Sequence, residues 1–537
     1  MALHYRPVDR DQSFLLPPDM RDWIPANHLA WFLLEVVEQL DTTALHEKSK
    51  LGGTGREGFN PDLLLAVWIY ASARGISSSR QIERACIEDV AFRVLCAQDA
   101  PDHTVLARFR QRHRNAMADL FAQVLVLCVG RGLGKFGVIA IDGTKIKANA
   151  AKDQSRSLKT LRAMAKSILD VAEATDAAED QADAPTADDD LPDGFGPGPD
   201  RAALIRSELD GLRQQGEVVA KEKPPPTRTG GKGARIEAAI AQLERVVQAE
   251  NQPWITVFHT RLLDAQQRLA DLEAKQAASR ARFAVTPNGR PPVLNNKRLR
   301  DAQHGVEHAQ TNLARAQERA HQQLSGEAAA TRKYLLRRNV TDPESRLMHT
   351  RNGYVQAYNG QVATADDQLI IAVDAVTDPN DQGQLIPMMD HVRSNIARCQ
   401  AETTRTDLTV DVVVADNGYL SAENVDADGY DRLLAPGRGL MKDGAWVGTI
   451  VGRTGETVSR AAETMIHKLA QPGNQKLYNR RGVLVEPANA FLKDRRGLRQ
   501  FACRGLQAAN AELHLAALTT NLMKLFTAGL TAAPTIT

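Results

Sequence analysis

Apolar residues recur at two different periods along this chain, and the switches between them divide it into three parts. Over the first 135 residues the spacing is three to four, the period of a helix with one buried face. Asn27 is placed to cap HLAWFLLEVVEQL, and Pro61 opens a helix through DLLLAVWIYASA. SSRQIERAC, EDVAFRVLC and TVLARFRQRHRNAM follow, the last opened by a cap at Asp102 or Thr104. The pattern then turns β-branched and apolar in GVIAIDGTKIKANA (137–150). It does so again in 353–365, 368–376 and 408–419, with helical spacing over 381–400 between the last two. The stretches PANAFLKDRRGLRQF and ANAELHLAALTTNLMKLF return to the helical period.

Between these strand-like segments, 152–340 reads as a largely α-helical insert. Ile236, Ile240, Leu243 and Val247 form one run, and Leu262, Leu269 and Leu272 a second. Ala302, Val306, Ala309, Leu313 and Ala316 form a third. The last two flank VTPNGRPP (285–292), whose turn signals predict an antiparallel helical hairpin. Strands on both sides of a helical insert imply one α/β domain, 136–151 plus 341–527, interrupted by another. An all-α domain of residues 1–135 precedes it.

Composition adds mainly exclusions. The 537 residues include 67 Lys or Arg, 65 Asp or Glu and 43% hydrophobic residues, the balance of an ordinary globular protein. No stretch approaches the ~20 apolar residues of a membrane helix. Met1 to Leu16 carries Arg and Asp where a secretion signal needs an apolar core. The five cysteines lack zinc or disulfide spacing, which suits a reducing cytosol. A cytoplasmic chain without a membrane partner is therefore expected. Charge is segregated: 171–200 holds ten acidic residues and no Lys or Arg, the composition of a disordered segment. The segment 221–233 (KEKPPPTRTGGKG) has the composition of a linker.

Three carboxylates stand out. Asp142 follows the apolar run VIAI, and Asp416 follows VVVA; an ionised group there is costly unless paired or metal-bound. Ligands gather at the carboxyl ends of strands in open α/β sheets, so the two could share a site. Taken singly, either could merely cap a turn. The third is Glu486, in YNRRGVLVEPANAFLKDRRGLRQF (478–501), where Pro487 suits the first turn of a helix. Lys493 lies seven residues on from Glu486, about two helical turns, which puts them on nearly one face. Around them lie Arg480, Arg481, Arg495, Arg496, Arg499 and Arg504, a phosphate-binding surface or simply a solvated amphipathic helix. Carboxylates without His or Cys clusters favour Mg²⁺ or Mn²⁺. There is no GxxxxGK[ST] loop, GxSxG elbow or HExxH. In the N-terminal part, three short helices resemble a helix-turn-helix, the third bearing Arg108, Arg110 and Arg112. A structural helical bundle with solvated arginines is the competing reading.

IDGTKIKANA, ADNGYLSAENV and Y-x₂-R-x₄-E-x₆-K, in this order, resemble the DDE transposases of bacterial insertion sequences. They are closest to the group whose final Glu lies in a Tyr-Arg-Glu-Lys signature. The opening RPVDRDQSFLLPPDMRDWIPANHLAWFLLEVVEQL and the segment SSRQIERACIEDVAFRVLCAQDAPDHTVLARFRQR are similar to that family's N-terminal domain. The resemblance covers about 1–150 and 340–525. It implies an RNase H-like domain in which Asp142, Asp416 and Glu486 coordinate two Mg²⁺ (or Mn²⁺) ions. It also implies that Tyr478, Arg481 and Lys493 contact DNA near the scissile phosphate. The family spacing puts three residues between Arg and Glu, whereas four separate Arg481 from Glu486 here, so Arg480 is also a candidate. Partners implied are double-stranded DNA, as terminal inverted repeats and target, and a second copy in a homodimer on DNA. Such a chain would be nucleoid-associated when bound. A catalytically silent DNA-binding derivative and a hydrolytic nuclease without strand transfer are the alternatives.

Overall fold

A computed structural model describes residues 19–47, 58–167, 232–285, 297–325, 337–350, 353–442, 445–450 and 458–529. The acidic segment 171–200, most of the linker 221–233 and most of the turn 285–292 lie outside the described residues. The chain divides into two compact units, one of 1–153 with 344–537, the other of 154–343.

The first unit is built on a mixed sheet. Its strands are β1 (Val138–Lys147), β2 (Arg346–Thr350), β3 (Gly353–Thr364), β4 (Ile370–Val376), β5 (Val412–Ala415) and β6 (Arg432–Leu434). The order is β2-β3-β1-β5-β6, with β4 beside β2 on the same edge of β3. β1 runs antiparallel to β3 and parallel to β5, and β5 is parallel to β6. The apolar run that opens β1 and all of β5 are buried, as strands covered on both faces require. Each Ile or Val so buried contributes about 1.5–3 kcal/mol relative to exposure.

The helices expected at the N-terminus form, with altered details. His28, not Asn27, caps Leu29–Gln39, its Nδ1 accepting from the Ala30 amide at 3.1 Å. Asn60 caps Pro61–Ala73, a helix buried nearly all round. Asp102, not Thr104, caps His103–Arg112, accepting from two amides of the first turn. These helices share one hydrophobic core with the sheet. The long helix Leu506–Thr527 joins them, packing on β4, on Pro61–Ala73 and on Met117–Gly130.

In the second unit, helices Lys232–Val285 and Lys297–Ser325 pack on each other. Ser155–Ser157 pairs antiparallel with Arg337–Asn339. Ile236, Leu243 and Val247, all from the first predicted run, are buried, and the first two share a core with Leu158, Leu161 and Val340.

Candidate active site

The register of β1 and the parallel β5 pairs Ile141 with Ala415, so Asp142, inside β1, stands next to Asp416, the residue just past the end of β5. Burial is the main cause that lifts the Asp142 pKa from 3.8 to about 6, and the negative charge of Asp416 adds to it. Burial likewise raises Asp416, opposed by an amide hydrogen bond from Gly418 at 2.8 Å. That bond makes Asp416 the cap of the turn Asn417–Tyr419, so the capping role coexists with the strand-end position. Asn489 Nδ2 donates to Asp142 Oδ2 at 3.0 Å, fixing the carboxylate from the helix opposite.

That helix spans Arg481–Ala490, so Pro487 lies inside it and Glu486 is not at its start. Proline is tolerated because the carbonyl it leaves without its amide, that of Val483, accepts from Gln368 Nε2 at 3.0 Å. Beyond Ala490 the chain widens into a π-helical turn over Phe491–Arg495. A wider turn breaks the 3.6 period, so Glu486 and Lys493 do not share the regular face that their spacing predicts. Glu486 is 68% exposed, while Lys493 is half-buried, and burial lowers its pKa. The negative charge of Asp142 partly offsets that fall.

The two candidate arginines diverge. Arg481 Nη1 lies 3.8 Å from Asp142 Oδ1 and its Nη2 3.9 Å from Glu486 Oε1, so it stands between the two carboxylates. Tyr478 lies beside it, its hydroxyl pushed up by burial. Arg480 instead pairs with Asp366 at 3.0 Å.

Two predicted DNA contacts turn inward. Arg496 Nη1 donates to the carbonyls of Ala73 at 2.9 Å and Ser72 at 3.4 Å, capping the end of helix Pro61–Ala73. Burial lowers its pKa to about 10. Arg110 lies 4.8 Å over the Trp68 ring and 3.7 Å from the buried Glu512, with its side chain 15% exposed. It follows Phe109 and lies one turn from Leu106, so it belongs to the inward face of its helix. Arg108 and Arg112 lie on the exposed face.

Asp381 was missed by the sequence reading. It precedes the helix Leu385–Glu402 and accepts at Oδ1 from Asn359 Nδ2 at 2.6 Å, Gln361 Nε2 at 2.9 Å and Lys145 Nζ at 3.3 Å. Tyr419 donates its hydroxyl to Gln361 Oε1. A Cβ on Gly143 would lie 2.2 Å from Asp381 Oδ1, so any side chain after Asp142 would force the Asp381 carboxylate to shift. The Asp142-Gly143 pair and the Asn380-Asp381 dipeptide were the available signals.

The buried, mutually repelling pair Asp142 and Asp416 suits a hard divalent cation, whose charge would offset the cost of ionising both. Among the described residues no group of three or more His, Cys, Asp or Glu is gathered closely enough to hold one ion. Also among the described residues, no helix is long and apolar enough to cross a membrane.

Two family models match the chain: Transposase domain (DUF772) over 18–112 and Transposase DDE domain over 450–526. The first contains Arg108, Arg110 and Arg112, and the second contains Tyr478, Arg481, Glu486 and Lys493. Asp142, Asp381 and Asp416 lie outside both. Comparison with curated proteins and with solved structures gave no match. The chain thus carries a transposase domain and a transposase DDE domain, consistent with a DDE transposase of an insertion sequence.

Proposed function

We propose that the protein binds the ends of its insertion sequence and cleaves and joins DNA strands by metal-dependent phosphodiester chemistry. The catalytic part is an RNase H-like domain of 136–151 and 341–527, preceded by a DNA-binding helical domain, 1–135, and interrupted by the insert 152–340. The observation that carries this reading is the juxtaposition of Asp142, inside β1, and Asp416, just past the end of β5, with the Arg481–Ala490 helix bringing Arg481 to Asp142. Asp142 and Asp416 hold the divalent ions, and Glu486 completes the set by moving inward from its exposed position. Two Mg²⁺ or Mn²⁺ ions there supply activation of a water or 3′-hydroxyl and stabilisation of the leaving oxygen. Tyr478, Arg481 and Lys493 contact the phosphates beside the scissile bond, and Arg108 and Arg112 contact the inverted repeat. Joining two ends takes two active sites, so the working form is a homodimer on DNA in the cytoplasm.

The exposure of Glu486 favours one other reading, a DNA-binding protein whose carboxylates never assemble. Duplex DNA spanning the ends of the gene's own locus, incubated with Mg²⁺ or Mn²⁺, separates the two. Nucleotide-resolved cuts at matching inverted ends, absent in Asp142→Ala, are the expected result. Binding without cuts would sink the catalytic reading. Pre-cleaved ends with a target plasmid then test joining, since a purely hydrolytic nuclease gives no joined product.

A further inference from the structure

Lys145 lies three residues after Asp142 on β1 and opposite Asn359 in the register with β3. Its ammonium is held 3.3 Å from Asp381, and the two side chains are only 18% and 20% exposed. Asp381 is itself fixed: Asn359 and Gln361, on β3, share the same oxygen with Lys145, and Tyr419 braces Gln361. The backbone is shaped to admit this carboxylate. Gly143 leaves room at Oδ1, where a Cβ would stand only 2.2 Å away. The charge of Lys145 reaches Asp416 on one side and Lys493 on the other.

A lysine whose charge reaches Asp416 could swing onto that carboxylate and compete with a divalent ion for its oxygens. Anchored on Asp381, it stays nearby while leaving Asp416 available. An ammonium is a compact point charge suited to a phosphate oxygen. From this geometry we infer that Lys145 is a DNA-phosphate contact of the active site and Asp381 the positioning residue that holds it there. The inference rests on the transposase reading of the site.

The test uses the full-length protein, duplex DNA carrying the element's ends, and the variants Lys145→Gln, Lys145→Arg, Asp381→Asn and Lys145→Gln/Asp381→Asn. Binding is measured against salt without divalent metal, and cleavage with Mg²⁺. Lys145→Gln should lower the cleavage rate about 10- to 100-fold, the size of one lost charge-assisted hydrogen bond. It should also flatten the slope of log affinity against log salt by about one. Lys145→Arg should keep the slope. Asp381→Asn should slow cleavage at unchanged slope, and the double variant should be no slower than Lys145→Gln alone. An unchanged slope in Lys145→Gln, or losses that multiply in the double variant, would overturn the inference. If the wild type cleaves no DNA, the catalytic reading fails. The salt slope then decides alone, an unchanged one overturning the phosphate contact and a flattened one supporting it.

Discussion

The guanidinium of Arg481 stands 3.8 Å from the carboxylate of Asp142, although 338 intervening positions separate them in the chain. The contact links the helix that carries Glu486 to the place where Asp142, inside β1, meets Asp416, just past the end of β5. Arg480, next in sequence, points to Asp366 instead.

That difference gives a direct comparison. Arg481→Gln should reduce strand cleavage by about tenfold or more, because a charge-assisted contact at the carboxylates is lost. Arg480→Gln breaks a half-exposed pair, typically a contribution of ~1 kcal/mol or less, and should leave cleavage within about threefold of wild type. Equal losses in the two variants would contradict the assignment.

Asp142 makes the metal-free protein pH-sensitive. Its pKa rises from 3.8 to about 6 on folding, so the folded state holds the proton more tightly than the unfolded state does. No penalty acts below pH 3.8; it grows as pH rises toward 6 and is complete above, on the order of 2–3 kcal/mol. Asp142→Asn should therefore raise the denaturation midpoint of metal-free protein at pH 7.5 and lose that advantage near pH 4. Urea titrations at the two pH values, with EDTA present, make the comparison.

Gly143→Ala should both destabilise the fold and impair cleavage. The added methyl would meet Asp381 Oδ1 at 2.2 Å and Gln361 Nε2 at 2.8 Å, an overpacking that costs about 1–3 kcal/mol. Asp381→Ala in the same chain removes the closer obstacle and should recover part of the stability. Thermal melts of the two variants decide it.

Arg496 and Arg108 should behave oppositely despite their equal charge. Arg496→Met removes two hydrogen bonds to helix-end carbonyls and should cost about 2 kcal/mol of stability, with an unchanged salt slope of DNA binding. Neutralising Arg108 and Arg112 together should flatten that slope by up to about two. A flattened slope in Arg496→Met would restore it as a DNA contact.

Hydrophobic period and turn chemistry were enough to locate β1, β3, β4 and β5 and the helices around them. They also marked Asp142 and Asp416, because an ionisable residue after an unbroken apolar run is conspicuous in one dimension. The helix boundary at Pro487 was misread because the rule for proline assumes an unsatisfied carbonyl, and Gln368, 115 positions away, satisfies it. Arg110 and Arg496 could not be told from their solvated neighbours for a similar reason. Whether an arginine faces solvent or a helix end depends on what packs over it, and that is set by long-range contacts.

Sequence alone thus determined which segments become strands and helices and which carboxylates follow buried apolar runs, since both follow from local periodicity and the cost of desolvating charge. Tertiary structure alone decided which charges meet. Asp381 reaches Lys145 across 235 intervening positions, and Arg481 reaches Asp142, because strand register and helix packing fix distances that no local pattern encodes.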